Sequence, residues 1–468
     1  MRIKKELCLL ALLLAALLTV ACATGSTNNT TDTTSEGNTS SGGPGEPPSD
    51  GGFGGNTAPG GSTSSFEYAT ATEITSGTTQ ENQTYTSATA DESALIISTT
   101  DAVTVTNPTV TKTGDSDGGD NCNFYGLNAA VLAKDGASVT ITGGTVESSA
   151  SGANGVFCYG GHGGQNGAAG DGTTVTITDT VITTTGSGSG GVMTTGGGVT
   201  YANNLTVTTS GGSSAPIRTD RGGGWVYVDG GSYTSNGLGS PAIYSTAEIH
   251  VANATLVSNL SEGVCIEGKN SIELTNCDLT ANNTQCNGNA TFFDSIMIYQ
   301  SMSGDADSGT SSFTMTGGTL TSKNGHIFHV TNTNAVITLT NVTLVNEDGE
   351  NVLLSVCADG WSGGSNIATL NTIREALSGT ILVGSDSTLT LNLTDGSTFT
   401  GCIHGSITNA KGTTVSTEVG TVHVTLDSTS TWTLTGDAYI TSFTGDASNI
   451  VSNGYTLYVN GVALSGTK

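Results

Sequence analysis

A short pattern of apolar and polar positions recurs along most of the chain. β-Branched or other apolar residues occupy relative positions 0 and 2, Gly, Asn or Asp occupies position 4, and an apolar residue follows at position 7. Copies of the pattern start at the following residues: Val103, Val139, Val175, Val226, Ile249, Ile272, Phe313, Ile337 and Leu457, with a looser copy at Val199. Alternation at positions 0 and 2 predicts a short strand with one side facing inward, and the residue at position 4 predicts a turn.

The spacing of the copies predicts how these strands are arranged. The copies at Val226, Ile249 and Ile272 are 23 residues apart, and those at Phe313 and Ile337 are 24 apart. A coil of this length holds three short strands and three turns at roughly 3.3 Å per residue. One coil alone has too little apolar surface to fold, so stacked coils must share a core. The chain is therefore predicted to be an all-β, right-handed, three-sided parallel β-helix of 23–24-residue coils with Gly-rich insertions.

A second apolar strand follows the repeat in most coils, as a further side of the solenoid requires. These strands are predicted at the following residues: Gly155–Tyr159, Ala215–Arg218, Ala242–Tyr244, Gly263–Glu267, Ile296–Tyr299 and His326–His329. Strand edges exposed at the ends of a β-helix need caps. We therefore expect an N-terminal cap and first coil over residues 66–99, and irregular C-terminal coils with a cap over residues 347–468. A short helix is predicted over Asn371–Leu377.

The first 22 residues have the pattern of a lipoprotein-type signal peptide. A basic start at Arg2–Lys5 precedes an apolar run over Leu7–Ala21, which is shorter than the roughly 20 residues of a membrane-spanning helix. The run ends at Cys22 in a lipobox-like sequence in which Thr19 replaces the usual Leu. Cys22 is therefore the candidate lipidated residue. The alternative is ordinary cleavage after Ala23, which would give a secreted protein.

Composition divides the rest of the chain and restricts its partners. Residues 23–65 are rich in Gly, Ser, Thr, Asn and Pro and are predicted to be a disordered linker, which leaves residues 66–468 for the β-helix. The net charge of −27, from 12 Lys and Arg against 39 Asp and Glu, argues against nucleic-acid binding. We expect a cell-surface protein attached to the membrane through its N-terminal lipid only.

The coil motif also carries a resemblance to a known group of proteins. Over residues 90–465, with Val139–Val146 reading Val-Thr-Ile-Thr-Gly-Gly-Thr-Val, the chain resembles pectate-lyase-like, right-handed parallel β-helix surface proteins. That group includes carbohydrate-binding and adhesin-like bacterial lipoproteins. The resemblance implies the fold, but the fold hosts lyases, hydrolases, esterases, binding modules and adhesins, so the site must decide the function.

A catalytic interpretation has one candidate location. Arg218-Thr-Asp220-Arg221 is a pair of arginines around a carboxylate, and with Glu267 it could serve a polysaccharide lyase or glycoside hydrolase acting on an acidic polysaccharide. The alternative is a structural turn in which Asp220 pairs with the neighbouring arginines. The motif Gly161-His162-Gly163 resembles one of β-helix polygalacturonases, but the paired aspartates and the basic motif that should accompany it are missing.

A binding interpretation rests on a row of side chains on the second strand. If Ile243 and Ile266 are in register, Tyr244 and Glu267 project outward one above the other. Arg218 would lie one coil below and Tyr299 one coil above. Aromatic rings beside charged and amide groups suit a polysaccharide-binding face, although an ordinary solvated face is the alternative. The predicted ligand-binding residues are Arg218, Tyr244, Glu267, Lys269, Tyr299 and Gln300, with Arg221 beside them.

Candidate metal ligands and cysteines give less information about function than the two interpretations above. Asp115, Asp117 and Asp120 form a weak candidate Ca²⁺ site, and no cofactor is required. The cysteines after Cys22 contain no C-x-x-C pair and are predicted to be small core residues. We expect a non-catalytic β-helix lipoprotein that binds polysaccharide or another surface ligand and can mediate adhesion. A lyase or glycoside hydrolase and a purely structural stalk are the two alternatives.

Overall fold

The computed structural model describes residues 67–162 and 169–468. Their strands stack in parallel from coil to coil, so the chain forms a parallel β-helix, as the repeat predicted. Each typical coil contributes one strand to each of three sides, which we name face A, face B and face C.

Face A contains the strands that begin with positions 0 and 2 of the repeat. Its strands are Thr78–Glu81, Ala102–Thr106, Ser138–Thr142, Thr174–Thr178, the first parts of Gly198–Thr209 and Gly224–Ser235, Glu248–Ala252, Ser271–Thr275, Thr310–Thr316, Thr333–Thr340, Asn366–Ile373, Ser387–Thr394, Thr421–Leu426 and Ser442–Thr444.

Face B follows face A after the turn at position 4. Its strands are Thr84–Ser87, Thr109–Lys112, Thr145–Ser148, Val181–Thr184, the second parts of Gly198–Thr209 and Gly224–Ser235, Thr255–Ser258, Asp278–Ala281, Thr319–Ser322 and Thr343–Asn346. A separate four-stranded sheet follows with Ala376–Ser378, Thr398–Gly401, Thr431–Leu434 and Ile450–Val451.

Face C contains the predicted second strands. Its strands are Glu73–Ile74, Leu95–Ser98, Val131–Lys134, Val156–Tyr159, Val192–Thr195, Ile217–Thr219, Ile243–Ser245, Val264–Glu267, Asp294–Tyr299, His326–Thr331, Val352–Val356, Thr380–Val383 and Ile403–His404. The remaining elements are the helix Asp120–Phe124, the 3-10 helix Ala447–Asn449, and the short strands Ala69–Thr70, Glu92–Ser93, Ile407–Thr408, Thr414–Ser416, Ala438–Ile440, Leu457–Val459 and Val462–Ala463.

The repeat produces this fold through burial and backbone conformation. In the coil that starts at Ile249, the residues at positions 0, 2 and 7, which are Ile249, Val251 and Leu256, are all buried in the shared core. Asn253 at position 4 has φ of 56°, and Asn276 in the next coil has φ of 51°. Asn tolerates this left-handed conformation better than most residues, which explains why Gly, Asn and Asp occupy the position.

Three sequence predictions about individual segments are wrong. The looser copy is shifted by one residue, because Thr200 and Ala202 pair with the inward Val175 and Ile177 and are themselves buried. Residues 371–377, predicted as a helix, belong to two strands and the two-residue turn between them, since the alternation of buried residues over residues 366–373 continues the face A stack. The segment starting at Leu457 pairs in a small C-terminal sheet and is not a face A strand.

The outer sides of faces A and C differ. Outward side chains of face C, such as Met297 and Tyr299, are buried with Ala290 and Trp361 from segments outside the three faces. Phe292, from the segment before Asp294–Tyr299, packs with the face C residues Val352 and Leu382. Segments between strands therefore fold over much of face C. On face A, outward residues of the central coils remain partly or fully exposed.

Candidate functional site

The predicted row on face C is only partly in register. Arg218 pairs with Tyr244, as predicted, and Glu267 pairs with Tyr299 in the following coil. However, Ile243 pairs with Val264 rather than Ile266, so Tyr244 lies beside Cys265 and not beside Glu267. The prediction assumed that the spacing of face A also holds on face C. The turn from face C to face A is longer by two residues in the coil that contains Glu267, and this shifts the register.

The row is also buried, where the sequence predicted an outward binding face. Glu267 is 2% exposed and Tyr299 is 0% exposed. The hydroxyls of Tyr244 and Tyr299 donate hydrogen bonds to Glu267 Oε2 at 2.7 and 3.0 Å, and Ser301 Oγ donates to Oε1. Burial raises the pKa of Glu267, and these hydrogen bonds oppose that shift. Trp361 packs on the Tyr299 ring with centroids 4.9 Å apart, so the carboxylate faces protein rather than solvent.

The two arginines of the candidate catalytic motif each pair with a buried carboxylate. Arg218 Nη2 lies 2.8 Å from Asp220 Oδ2, and Arg221 Nη2 lies 2.6 Å from Asp305 Oδ1. The Arg221 guanidinium also lies 4.3 Å from the centre of the Phe124 ring. Burial raises the pKa of Asp220 to about 7, although Arg218 opposes this. The motif thus forms the kind of ion-paired turn that the sequence left open as the alternative to catalysis.

The two remaining residues of the predicted site secure the segment after Tyr299. Gln300 Nε2 donates to the carbonyl of Ala306 at 3.1 Å. Lys269 Nζ lies 2.6 Å from Asp307 Oδ2 at a partly exposed position. The structure therefore brings the predicted residues together, with most of their polar groups engaged with one another or with this segment.

The predicted metal and anchor residues have different outcomes. Asp115 Oδ1 accepts a hydrogen bond from the Ser151 amide at 2.8 Å, and Asp120 begins the short helix. Across residues 67–162 and 169–468, no group of three or more His, Cys, Asp or Glu side chains is arranged to hold a metal ion. Calcium binding at Asp115, Asp117 and Asp120 stays a prediction. Cys22 lies outside the described residues, and no helix among the described ones is long and apolar enough to cross a membrane.

A second buried polar cluster on face C was not predicted. His329 Nδ1 lies 2.7 Å from Ser355 Oγ, and His329 Nε2 lies 3.4 Å from Asp359 Oδ2. His326 Nδ1 lies 2.7 Å from the same Ser355 oxygen. The order of groups is that of a serine nucleophile, its base and an orienting carboxylate. His329 and Ser355 are 0% exposed and the Phe292 ring packs on His329, so no substrate reaches this serine in the described arrangement.

A row of three ring side chains lies on the outer side of face A. Tyr201, Tyr227 and His250 occupy the same outward position in three consecutive coils. The ring centroids of Tyr201 and Tyr227 are 5.2 Å apart with 15° between the planes, and those of Tyr227 and His250 are 5.1 Å apart with 10° between the planes. We call these three residues the aromatic ladder. Tyr201, at its first end, is 42% exposed.

A groove runs beside the aromatic ladder. It has a volume of about 450 Å³ and spans four consecutive coils. One wall is the ladder with Glu273, and the other is the next outward position of the same strands. That second wall contains Asn203, Asp229, Ala252 and Thr275.

Two carboxylates, Asp229 and Glu273, line the groove, and His250 is the one basic side chain among its described lining residues. His250 Nε2 lies 2.7 Å from Glu248 Oε1, and His250 Nδ1 lies 3.1 Å from Glu273 Oε2. Asn253 Nδ2 donates to Asp229 Oδ1 at 2.7 Å. Within residues 67–162 and 169–468, no Lys or Arg lines the groove. Its lining is therefore negatively charged whether or not His250 is protonated.

The ladder interrupts a uniform column of threonines. At the ladder position the preceding coils carry Thr104, Thr140 and Thr176, and the coils after Glu273 carry Thr314 and Thr338. The sequence analysis did not predict the ladder, because it placed the looser copy one residue early and so assigned Tyr201 an inward position. Placing Asn204 instead of Asn203 at position 4 of the repeat would have predicted the ladder. The structure agrees with that placement, because Asn204 has the left-handed φ of 51°.

Comparison of the chain with protein-family models, with curated proteins and with solved structures found no significant match. The class of protein is therefore defined by the fold itself, a parallel β-helix. Its function has to be argued from the surface that the fold presents.

Proposed function

We propose that the chain is a non-catalytic, cell-surface β-helix protein that binds polysaccharide along the groove of face A. The observation that carries the proposal is the exposed aromatic ladder beside a groove that spans four coils. The role matches the carbohydrate-binding members of the pectate-lyase-like surface proteins that the repeat resembles. Adhesion to a glycan-coated surface would follow from the same binding.

The geometry of the groove suits an extended polymer. Strands of neighbouring coils are about 4.8 Å apart, so the groove follows the solenoid axis for about 14 Å. At the first end of the groove, the free face of the Tyr201 ring can stack on a sugar ring that extends over the preceding coil, which has only Thr176 at that position. The other ladder rings stack on one another and present their edges and polar atoms to the groove. Asn203 and Asp229 supply further hydrogen-bonding groups on the opposite wall.

The catalytic alternative receives less support from the same structure. Glu267 and Asp220 are buried and hydrogen-bonded, and neither lines the groove of face A. A hydrolase needs a carboxyl pair across an accessible cleft, which these two residues do not provide in the described arrangement.

The proposal is tested by retention on insoluble polysaccharides. We expect the wild-type chain to bind at least one neutral or amino-sugar polysaccharide, and Tyr201→Ala and Tyr227→Ala to weaken that binding about tenfold or more. Tyr439 and Tyr458 form a matched control, because their rings also stack, with centroids 5.1 Å apart, and Tyr439 is 41% exposed. Tyr439→Ala should leave binding unchanged. Equal loss in the control, or retention of full binding without the ladder, would contradict the proposal.

Membrane attachment is part of the proposed function and has its own test. The lipobox-like sequence at Cys22 and the composition of residues 23–65 support a lipid anchor followed by a spacer. Cells that express the chain with labelled palmitate should incorporate label, and Cys22→Ser should abolish it. Cys8→Ser is the matched control within the signal sequence. Unchanged labelling of Cys22→Ser would refute the anchor and favour secretion.

A further inference from the structure

We infer that the groove of face A selects glycans that carry free amino groups over neutral glycans, and excludes acidic ones. This inference rests on the proposed function and names the ligand class of the same groove. It differs from the catalytic alternative, which would act on an acidic polysaccharide.

The charges around the groove carry the inference. Asp229 and Glu273 line it and are exposed, and Glu248 lies beside His250. The only basic group among these residues is the imidazole of His250, which already faces two carboxylates. A glycan ammonium group would therefore meet net negative charge in the groove, whereas a uronate carboxylate would meet like charge at Asp229 and Glu273.

The positions of the carboxylates match a repeating ligand. Asp229 and Glu273 lie on opposite walls and two coils apart, which places them about 10 Å from each other along the axis. Asn253 engages one oxygen of Asp229 and leaves the other for a ligand. An extended amino-sugar chain could thus place ammonium groups at both ends of this interval while one of its rings stacks on Tyr201.

Three basic side chains of the same coils do not neutralise the groove, because each is paired with a carboxylate outside it. Arg218 and Arg221 are paired with Asp220 and Asp305 and belong to face C. Lys269 is paired with Asp307. None of them lines the groove, so the local charge is set by the carboxylates.

The experiment measures binding of three tetrasaccharides, namely tetramers of glucosamine, of N-acetylglucosamine and of galacturonic acid, by calorimetry at low and high salt. We expect the glucosamine tetramer to bind about tenfold more tightly than the N-acetylated one at low salt, and the difference to shrink at high salt. The galacturonic acid tetramer should not bind measurably.

Charge-neutralising variants assign the preference to the groove. Asp229→Asn and Glu273→Gln should each reduce the amino-sugar preference, measured as the ratio of the affinities for the amino and neutral tetramers, about threefold, and together should abolish it. Urea denaturation midpoints equal to that of wild type show that the variants are folded. Glu147→Gln is the matched control, because Glu147 is an exposed carboxylate on a face B strand.

The outcomes distinguish the inference from the proposed function. Equal binding of the neutral and amino tetramers at low salt, or a preference that survives the double variant, would overturn the inference and leave polysaccharide binding intact. Preference for the galacturonic acid tetramer would overturn it as well. If no tetramer and no insoluble polysaccharide binds the wild-type chain, the proposed function fails and the inference fails with it.

Discussion

Faces A and C are built from the same kind of strand, but their outer sides differ in solvent exposure. On face C, Tyr299 and Glu267 point away from the solenoid core and are nevertheless buried, because Trp361 and the segment after Tyr299 cover them. On face A, the aromatic ladder occupies an equivalent outward position and Tyr201 is 42% exposed. An outward position in a β-helix therefore does not make a side chain accessible.

This difference separates polar side chains that are engaged within the protein from polar side chains that are available to a ligand. The ionised and hydroxyl groups of face C, including those around Glu267, are largely satisfied by one another. The carboxylates of face A border a groove, and only part of their hydrogen-bonding capacity is used.

Of the changes on faces A and C, the largest loss of stability is expected from breaking the Arg221–Asp305 ion pair. Arg221→Ala leaves the Asp305 carboxylate, whose side chain is 6% exposed, without its cation. Removing one partner of a buried pair typically costs about 3 kcal/mol or more in the free energy of unfolding. Urea denaturation of wild type and variant measures this loss.

Arg374 provides the matched control for that experiment. It also pairs with an aspartate, Asp395, but both side chains are more than half exposed. Arg374→Ala should cost less than about 1 kcal/mol. Similar losses for the two variants would mean that the face C pair is not buried in the way described.

A pH-dependent loss of stability is expected from His326. Burial lowers the pKa of His326 from 6.5 to about 3, and neighbouring His329 adds to the shift. The folded state therefore disfavours the charged imidazole. Its contribution to stability is complete above pH 6.5 and declines by up to about 1.4 kcal/mol per pH unit as the pH falls from 6.5 towards 3.

The variant His326→Phe isolates this contribution. Phe cannot be protonated and can pack against Phe292, whose ring already contacts His326. The free energy of unfolding of the variant should fall less steeply with decreasing pH than that of wild type. Identical slopes between pH 6.5 and 4 would show that His326 is accessible to protons in the folded chain.

The smallest effect is expected on the open face. Tyr201→Ala should cost only about 1 kcal/mol, mainly from the lost stacking on Tyr227. Tyr233 is the matched tyrosine in the core, and Tyr233→Ala should cost about 3–5 kcal/mol. If Tyr201→Ala were as damaging as Tyr233→Ala, Tyr201 would be inward, as the looser repeat copy first suggested.

The fold could be predicted from the sequence because its rules are local. Ile249 and Val251 must be buried and Asn253 must adopt a left-handed conformation, so the same residue types recur at each coil. The same alternation also prevailed over the helix predicted for residues 371–377, since burial against neighbouring coils outweighs local preference.

The site on face C could not be predicted, because its rules are not local. The connection from Ser245 to Ile249 is two residues shorter than the connection from Ile266 to Ile272. This difference shifts the register of face C, and the residue pattern does not predict it. Tyr299, which hydrogen-bonds to Glu267, packs against Trp361, which is distant in sequence. The aromatic ladder was within reach of the sequence, once Asn204 is aligned with position 4 of the repeat.

The outer side of face A is open to solvent, and the outer side of face C is covered. Hydroxyl-radical footprinting with mass spectrometry tests this difference most directly, because it compares side chains of one residue type without any ligand. We expect rapid labelling of Tyr201 and strong protection of Tyr244 and Tyr299, which are 7% and 0% exposed. Protection of Tyr244 and Tyr299 should disappear in urea. Labelling of Tyr299 in the folded chain as fast as that of Tyr201 would contradict the account.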